Sequence, residues 1–157
     1  MKRVFLAMCV ALISICASAQ KGTPALGVNL SYGTEIENIG IGVKGQYFLT
    51  DALRAEASFD YFLKKDHVSM WDVNLNLHYL FDVADNAYVY PLAGIGYTSW
   101  KASAYGYSAT DNKIAINLGG GFQYDFTDTM FFNVEGKYQI IDEFDQFVIG
   151  VGVGFKF

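Results

Sequence analysis

Apolar and polar residues alternate along most of the chain, most clearly at its C-terminal end. One set of alternate positions holds Phe147, Ile149, Val151, Val153, Phe155 and Phe157, and the other holds Val148, Gly150, Gly152, Gly154 and Lys156. Successive side chains of a β-strand point to opposite sides. The period of two therefore predicts a strand with one apolar face and one small or polar face.

The same alternation recurs in six further segments, at 26–32, 39–47, 53–61, 71–81, 114–124 and 132–140. An eighth segment, 87–101, has the composition of a strand but an ambiguous facing. Its Tyr88-Tyr90-Leu92 and Ala93-Ile95-Tyr97 sets imply opposite registers, which a bulge near Pro91 would reconcile. The pattern predicts eight strands.

Two observations favour a membrane barrel over a soluble barrel of the lipocalin kind. The polar face mixes Lys, Arg, Glu, Asp and Asn with many glycines, which is unusual for a solvent-exposed surface. Aromatic residues collect near strand ends, with Tyr47, Tyr79, Phe81, Tyr124, Phe126, Phe155 and Phe157 at one rim and Tyr32, Tyr61, Trp71, Tyr138 and Phe147 at the other. Two aromatic belts are typical of a bilayer-spanning barrel, which must close because lipid cannot satisfy an open strand edge.

The connections between the predicted strands alternate in length. Those at 49–51, 83–86 and 127–129 are short and rich in turn formers, whereas those at 33–38, 63–70, 102–112 and 141–145 are mostly longer and more polar. The pattern predicts an all-β, eight-stranded antiparallel up-and-down transmembrane β-barrel with both termini on the periplasmic side. The longest outer loop, around Tyr105-Gly106-Tyr107, is the best candidate for contact with the exterior.

The first residues have the layout of a secretory signal peptide. Lys2 and Arg3 precede the apolar run 4–15, and Ala17-Ser18-Ala19 supplies a small-residue cleavage site. The apolar run is too short for a membrane-spanning helix. Cys16 raises the alternative of a lipoprotein, but Ile15 stands where lipoprotein processing needs a small residue. We expect a signal peptide at 1–19 and a barrel domain at 20–157.

Cleavage after Ala19 changes the composition of the chain. It removes both cysteines, Cys9 and Cys16, so the mature chain has no disulfide and no cysteine metal site. It leaves nine basic residues against sixteen acidic ones, a formal charge of −7. So acidic a chain has no electrostatic footprint for nucleic acid.

Over nearly all of its mature length, the chain resembles the small outer-membrane barrels of OmpA and OmpX type. Its closing Gly152-Val153-Gly154-Phe155-Lys156-Phe157 is similar to that family's assembly signal. The resemblance implies an integral protein of the outer membrane, in contact with its lipids, and insertion by the barrel-assembly machinery through the strand ending in Phe157. We expect a monomer, without the peptidoglycan-binding domain of two-domain OmpA proteins because the chain ends at Phe157.

Strand parity predicts how the interior is filled. A three-residue turn at 49–51 would pair Tyr47 with Leu53, Gln46 with Arg54 and Lys44 with Glu56, giving an interior Lys44–Glu56 salt bridge. Across the 127–129 turn, Gly121 and Gly119 would lie opposite Glu135 and Lys137, with Gly152 and Gly150 in the equivalent places on the far side. An eight-stranded barrel is just wide enough for side chains to fill. We expect a plugged, charge-networked interior, the alternative being a wet, narrow lumen.

Candidate sites for chemistry are sparse. His67 and Ser69 share one face near the outer rim, but no orienting acid or oxyanion donor accompanies them, so we predict no catalytic residue. His78 is predicted to hydrogen-bond in the lumen, because no ligand cluster accompanies it at metal-binding spacing. Asp60 and Asp72 approach each other near the outer rim and could hold a cation, although solvated carboxylates partnered by Arg54 or Lys44 are the simpler interpretation. No metal ligand or cofactor is predicted.

The leading functional hypothesis is a structural or surface-interaction barrel, with a role in membrane integrity, adhesion or host contact through an extracellular partner. The first alternative is a narrow, low-conductance pore, which bulky substitutions at Gly119 or Gly150 would block. The second is an outer-membrane lipid-modifying enzyme built around His67 and Ser69.

Overall fold

The computed structural model describes residues 21–65, 68–104, 107–142 and 145–157. The strands are β1 (Pro24–Gly33), β2 (Asn38–Phe48), β3 (Leu53–Lys65), β4 (Val68–Tyr79), β5 (Phe81–Ala84), β6 (Ala87–Ala104), β7 (Tyr107–Asp125), β8 (Met130–Ile141) and β9 (Gln146–Lys156). Within these ranges no helix is long and apolar enough to cross a membrane.

The strands form one closed antiparallel barrel. The sheet runs in the order β4-β3-β2-β1-β9-β8-β7-β6-β5, and pairing of β4 with β6 closes it. β5 continues the line of β4, because the register against β6 is the same on both sides of Leu80. The predicted eight-stranded up-and-down barrel is confirmed, with the short β5 as an additional segment of one wall.

The two faces of the wall have the polarity predicted for a barrel in lipid. Outward side chains are apolar and exposed, as in Val28 at 61% and Ile114 at 71%, whereas Arg54 and Asp72 inside are fully buried. Aromatic residues are in contact along the outer surface, with Trp71 stacked on Phe59 at one rim and Phe155 against Phe157 at the other.

The predicted bulge near Pro91 is wrong. β6 pairs with β7 in one unbroken register from Ala87 to Ala104. Tyr90 and Leu92 point into the lumen, where they pack with Phe48 and Leu80. The ambiguity arose because apolar side chains occupy both faces of this strand, one facing lipid and the other filling the barrel.

Two of the predicted outer loops are largely strand. β3 and β4 extend into 63–70, and β6 and β7 extend into 102–112, so only 66–67 and 105–106 separate the paired strands. Tyr105 and Gly106 of the predicted contact loop lie outside the described residues. The segment 102–112 resembles a loop in sequence because it lacks the apolar alternation of the membrane-spanning strands. We call the end with connections 34–37, 66–67, 105–106 and 142–145 the long-loop end, and the opposite end the short-turn end.

Candidate functional site

The centre of the lumen holds the predicted salt bridge. Lys44 Nζ lies 3.3 Å from Glu56 Oε2 and 3.8 Å from Glu135 Oε2. Glu56 also accepts a 2.6 Å hydrogen bond from Gln46 Nε2, and Glu135 accepts one of 3.1 Å from the Tyr90 hydroxyl. Glu56 and Glu135 therefore each have a cation and a neutral donor, which is the condition for tolerating buried charge.

The register that produces this bridge differs from the predicted one. Glu56 lies opposite Gln46, Arg54 opposite Phe48 and Ala55 opposite Tyr47, two residues away from the predicted pairs. The turn is wider than three residues, since Leu49 N and Thr50 N both donate to the Leu53 carbonyl. A shift of two residues keeps every side chain on its face, so Lys44 still reaches Glu56 diagonally.

The predicted glycine positions are correct on β7 and partly wrong on β9. Gly121 lies opposite Glu135 and Gly119 opposite Lys137, as predicted. On the other side of β8, however, Gly150 faces Glu135, Gly152 faces Asn133, and Val148 faces Lys137. Val148 takes this place because it packs in an apolar cluster at the long-loop end.

A second group surrounds Arg54. Its Nε and Nη2 lie 3.2 and 2.9 Å from His78 Nδ1, and its Nη1 donates to Gln123 Oε1. The guanidinium lies 4.9 Å from the Tyr90 ring centroid, and that ring stacks on His78 at 4.7 Å. This group confirms His78 as a hydrogen-bonding residue of the lumen. The group around Arg54 is not evident from the spacing of residues along the sequence, because its members come from four strands.

The structure also brings carboxylates to His78, which the sequence did not indicate. Glu56, His78 and Glu135 each offer an atom within 4.8 Å of the others, a spacing that suits a metal ion. Arginine only donates hydrogen bonds, so Nδ1 of His78 must accept the one from Arg54. The imidazole hydrogen is therefore on Nε2, which lies 3.7 Å from Glu56 Oε1. The Nε2 atom of His78 therefore directs no lone pair at the carboxylates, and Lys44 is bound to both of them. This arrangement favours an ion-pair network over a metal site.

Asp60 and Asp72 form a third group. They lie directly opposite each other on β3 and β4, but both are buried, so the interpretation as solvated carboxylates is wrong. Asp60 accepts hydrogen bonds from Asn29 Nδ2 at 2.6 Å and Ser58 Oγ at 3.3 Å. Asp72 accepts one of 2.8 Å from Asn74 Nδ2. Their direct partners are neutral side chains, and neither Arg54 nor Lys44 is among them.

Apolar clusters lie in the lumen above and below these polar groups. The short-turn plug consists of Phe48, Leu80, Tyr90 and Leu92, and the long-loop plug of Phe62, Met70 and Val148 with Ile36 and Trp100 against it. Ile36 comes from the β1–β2 connection, so this loop folds over the barrel mouth. Sequence alternation missed both plugs, since it assigns apolar residues to the lipid face.

The β6–β7 hairpin projects from the long-loop end. β7 pairs with β8 only from Ala115 onward, and among the described residues no strand pairs with that edge between Tyr107 and Ile114. Beyond Tyr97 and Ile114 the outward positions are polar, at Lys101, Thr110 and Asn112. At ~3.3 Å per residue, the hairpin rises about 20 Å past the apolar band.

The pair considered for catalysis is only partly described. His67 lies outside the described residues, and Ser69 lies on β4 opposite Lys101 of β6. The prediction that neither residue is catalytic therefore stays a prediction.

Comparison with known proteins supports a single fold. A family model for the outer membrane protein beta-barrel domain matches residues 5–157, whereas no curated protein matches the chain. The N-terminal barrel of Pseudomonas aeruginosa OprF is 21% identical, with a TM-score of 0.78 over 87% of this chain and 98% of that one. Ail of Yersinia pestis is 18% identical, with a TM-score of 0.65 over 87% and 99%, and has also been solved with the heparin analogue sucrose octasulfate. Neisserial surface protein A is 12% identical, with a TM-score of 0.70 over 86% and 96%.

Proposed function

Because the chain belongs to the outer membrane protein β-barrel family, we propose that it is a surface-interaction barrel of the outer membrane. Its long-loop end faces outward, and both termini face the periplasm after cleavage behind Ala19. The strand ending in Phe157 engages the barrel-assembly machinery, and the folded protein is a monomer in contact with outer-membrane lipids.

The edge of β7 between Tyr107 and Asn112 carries the proposal, because no strand of the described residues pairs with it. An exposed edge presents a row of backbone donors and acceptors, and an extended peptide can add to it as a further strand. The hairpin holds this edge in water, above the apolar band. The barrel below supplies a rigid, closed support for it.

The net charge of the long-loop end indicates which kinds of partner it can bind. Among the residues whose side chains are described there, Glu35, Glu37, Asp111, Asp142 and Asp145 outnumber Lys101 and Lys113. Ail binds a sulfated sugar analogue, but an acidic surface disfavours polyanions. We propose that the partner here is an extended protein segment bearing basic residues.

Peptide binding tests this proposal. A labelled peptide of alternating valine and lysine should bind the purified barrel in detergent, as measured by fluorescence anisotropy. Replacing residues 101–110 by Asn-Gly, which joins Trp100 to Asp111 through a two-residue turn, should weaken binding about tenfold or more, because several main-chain hydrogen bonds are lost.

The matched control is the same peptide with two prolines, which lack the backbone donor and should not bind. The shortened barrel must still show the gel-mobility shift between unboiled and boiled samples that marks a closed barrel. Equal binding to both barrels, or equal binding of both peptides, would contradict strand addition at this edge.

A pore is the second candidate, and the two plugs argue against it. An ion crossing the lumen has to pass the long-loop plug and the short-turn plug, where apolar side chains replace water. We expect the refolded barrel to give no long-lived conductance steps in a planar bilayer. Long-lived conductance steps that become smaller in the Gly150→Leu variant would contradict this conclusion.

A further inference from the structure

The charges between the two plugs do not balance. Among the described residues there, four carboxylates are buried, those of Glu56, Asp60, Asp72 and Glu135, against three cations, Lys44, Arg54 and Lys137. His78 is neutral because its Nδ1 accepts from Arg54. With all carboxylates ionised, the closed lumen holds one excess negative charge, which is strongly unfavourable away from water.

The excess lies on the opposed carboxylates of Asp60 and Asp72. Lys44 is bound by Glu56 and Glu135 and Arg54 by His78 and Gln123, which leaves Lys137 as the cation for both Asp60 and Asp72. The direct partners of Asp60 are the uncharged Asn29 amide and Ser58 hydroxyl.

A cavity adjoins Asp60 beneath the long-loop plug. Its volume is about 20 Å³, enough for one or two water-sized particles. Asn29 and Ser31 line it, and both side chains are more than nine-tenths buried. Asn29 Oδ1 and Ser31 Oγ have no hydrogen-bond partner in the described part of the chain. Two unpartnered buried oxygens therefore adjoin one of the two carboxylates on which the excess charge lies.

We propose that this cavity binds one monovalent cation of the sodium class, through Asp60, Asn29 Oδ1 and Ser31 Oγ. Hard cations take carboxylate, amide and hydroxyl oxygens as ligands. One monovalent cation makes the lumen neutral. A water molecule would leave the excess negative charge, and a divalent cation would give the lumen an excess positive charge. Lys137 also lines the cavity, so repulsion further favours single over double charge.

Thermal unfolding of the refolded barrel tests the site. Tryptophan fluorescence is followed on heating in sodium chloride and in N-methyl-D-glucamine chloride, at equal pH and ionic strength. A ligand bound only by the folded state raises the unfolding temperature, and we expect sodium to raise it by about 3–6 °C.

Three variants make the test specific. Asp60→Asn removes both the ligand and the excess charge, so the sodium-dependent shift should disappear. Ser31→Ala removes a ligand and leaves the charge, so the shift should become smaller. Asp128→Asn changes an exposed turn carboxylate and should leave the shift intact. In crystals soaked with thallium(I), an anomalous peak should lie beside Asp60.

Equal unfolding temperatures in the two salts would overturn the proposal, as would a full shift in Asp60→Asn. Stability that depends on pH and is indifferent to sodium would also overturn it. In that case the opposed Asp60–Asp72 pair, facing Lys44 of β2 and Lys137 of β8, would balance the lumen with a proton.

Discussion

Replacing Lys44 by methionine is expected to lower the free energy of unfolding by about 3–5 kcal/mol, the usual loss when one member of a buried ion pair is removed. Methionine is close to lysine in length and shape and fills the space that the alkyl chain leaves. The carboxylates of Glu56 and Glu135, which offer oxygens within 4.8 Å of each other, would then lose the ammonium between them. Urea titration in lipid vesicles, followed by tryptophan fluorescence, measures the change.

The control for this prediction adds Glu56→Gln to Lys44→Met. Glutamine keeps the shape of the side chain beside Gln46 and removes one of the two opposed charges. The double variant should recover at least about half of the lost stability, because the charge left unpaired accounts for much of the loss. If Lys44→Met alone is as stable as the wild type, the lumen is hydrated well enough to screen these carboxylates, and the plugged interior is wrong.

Gly119→Ala is expected to destabilise the barrel by about 2–4 kcal/mol, at or above the usual range for overpacking. A Cβ at this position would overlap the backbone oxygen of Gly136 and come within 2.7 Å of the Lys137 Cα. Both atoms belong to the paired strand β8, so relief requires the two strands to separate. The gel-mobility shift and the urea midpoint of the refolded variant report the loss.

Gly150→Ala is the matched substitution on β9. Its Cβ would lie 3.5 Å from the Leu30 carbonyl oxygen, an ordinary van der Waals contact. We expect a change within about 0.5 kcal/mol, as for most substitutions without a clash. Equal losses at Gly119 and Gly150 would show that a side chain in the lumen, rather than overlap with the backbone, is responsible. Gly119 is therefore unsuitable as a place to block a pore, and Gly150 is the better choice.

The facing of seven of the eight predicted strands follows from the sequence, because lipid imposes a single rule on every outward position. Alternation placed Val151 outside and Gly152 inside without any knowledge of the turns. The Lys44–Glu56 bridge was predicted for a related reason. The register was wrong by two residues, but two residues preserve the face, and long side chains reach their partner diagonally.

Features that depend on distant strands were not predictable from the pattern. Tyr90 and Leu92 face the lumen. The sequence does not distinguish an apolar residue that contacts lipid from one that packs in a plug. Arg54, His78 and Gln123 meet only because β3, β4 and β7 converge inside the closed barrel. The outer half of the β6–β7 hairpin resembles a loop in sequence, because it carries no apolar alternation.

Closure of the barrel also bears on how far such sequences can diverge. Pairing of β1 with β9 completes a ladder made entirely of backbone groups, which every residue except proline supplies equally. Outward side chains such as Val28 and Leu30 meet fluid lipid and need only be apolar. Substitutions on the outer wall therefore accumulate with little penalty, which accounts for a shared fold at 12–21% identity. We expect the slowest-changing positions of this family to lie inside the lumen, where charged side chains such as Lys44 and Glu56 contact specific partners.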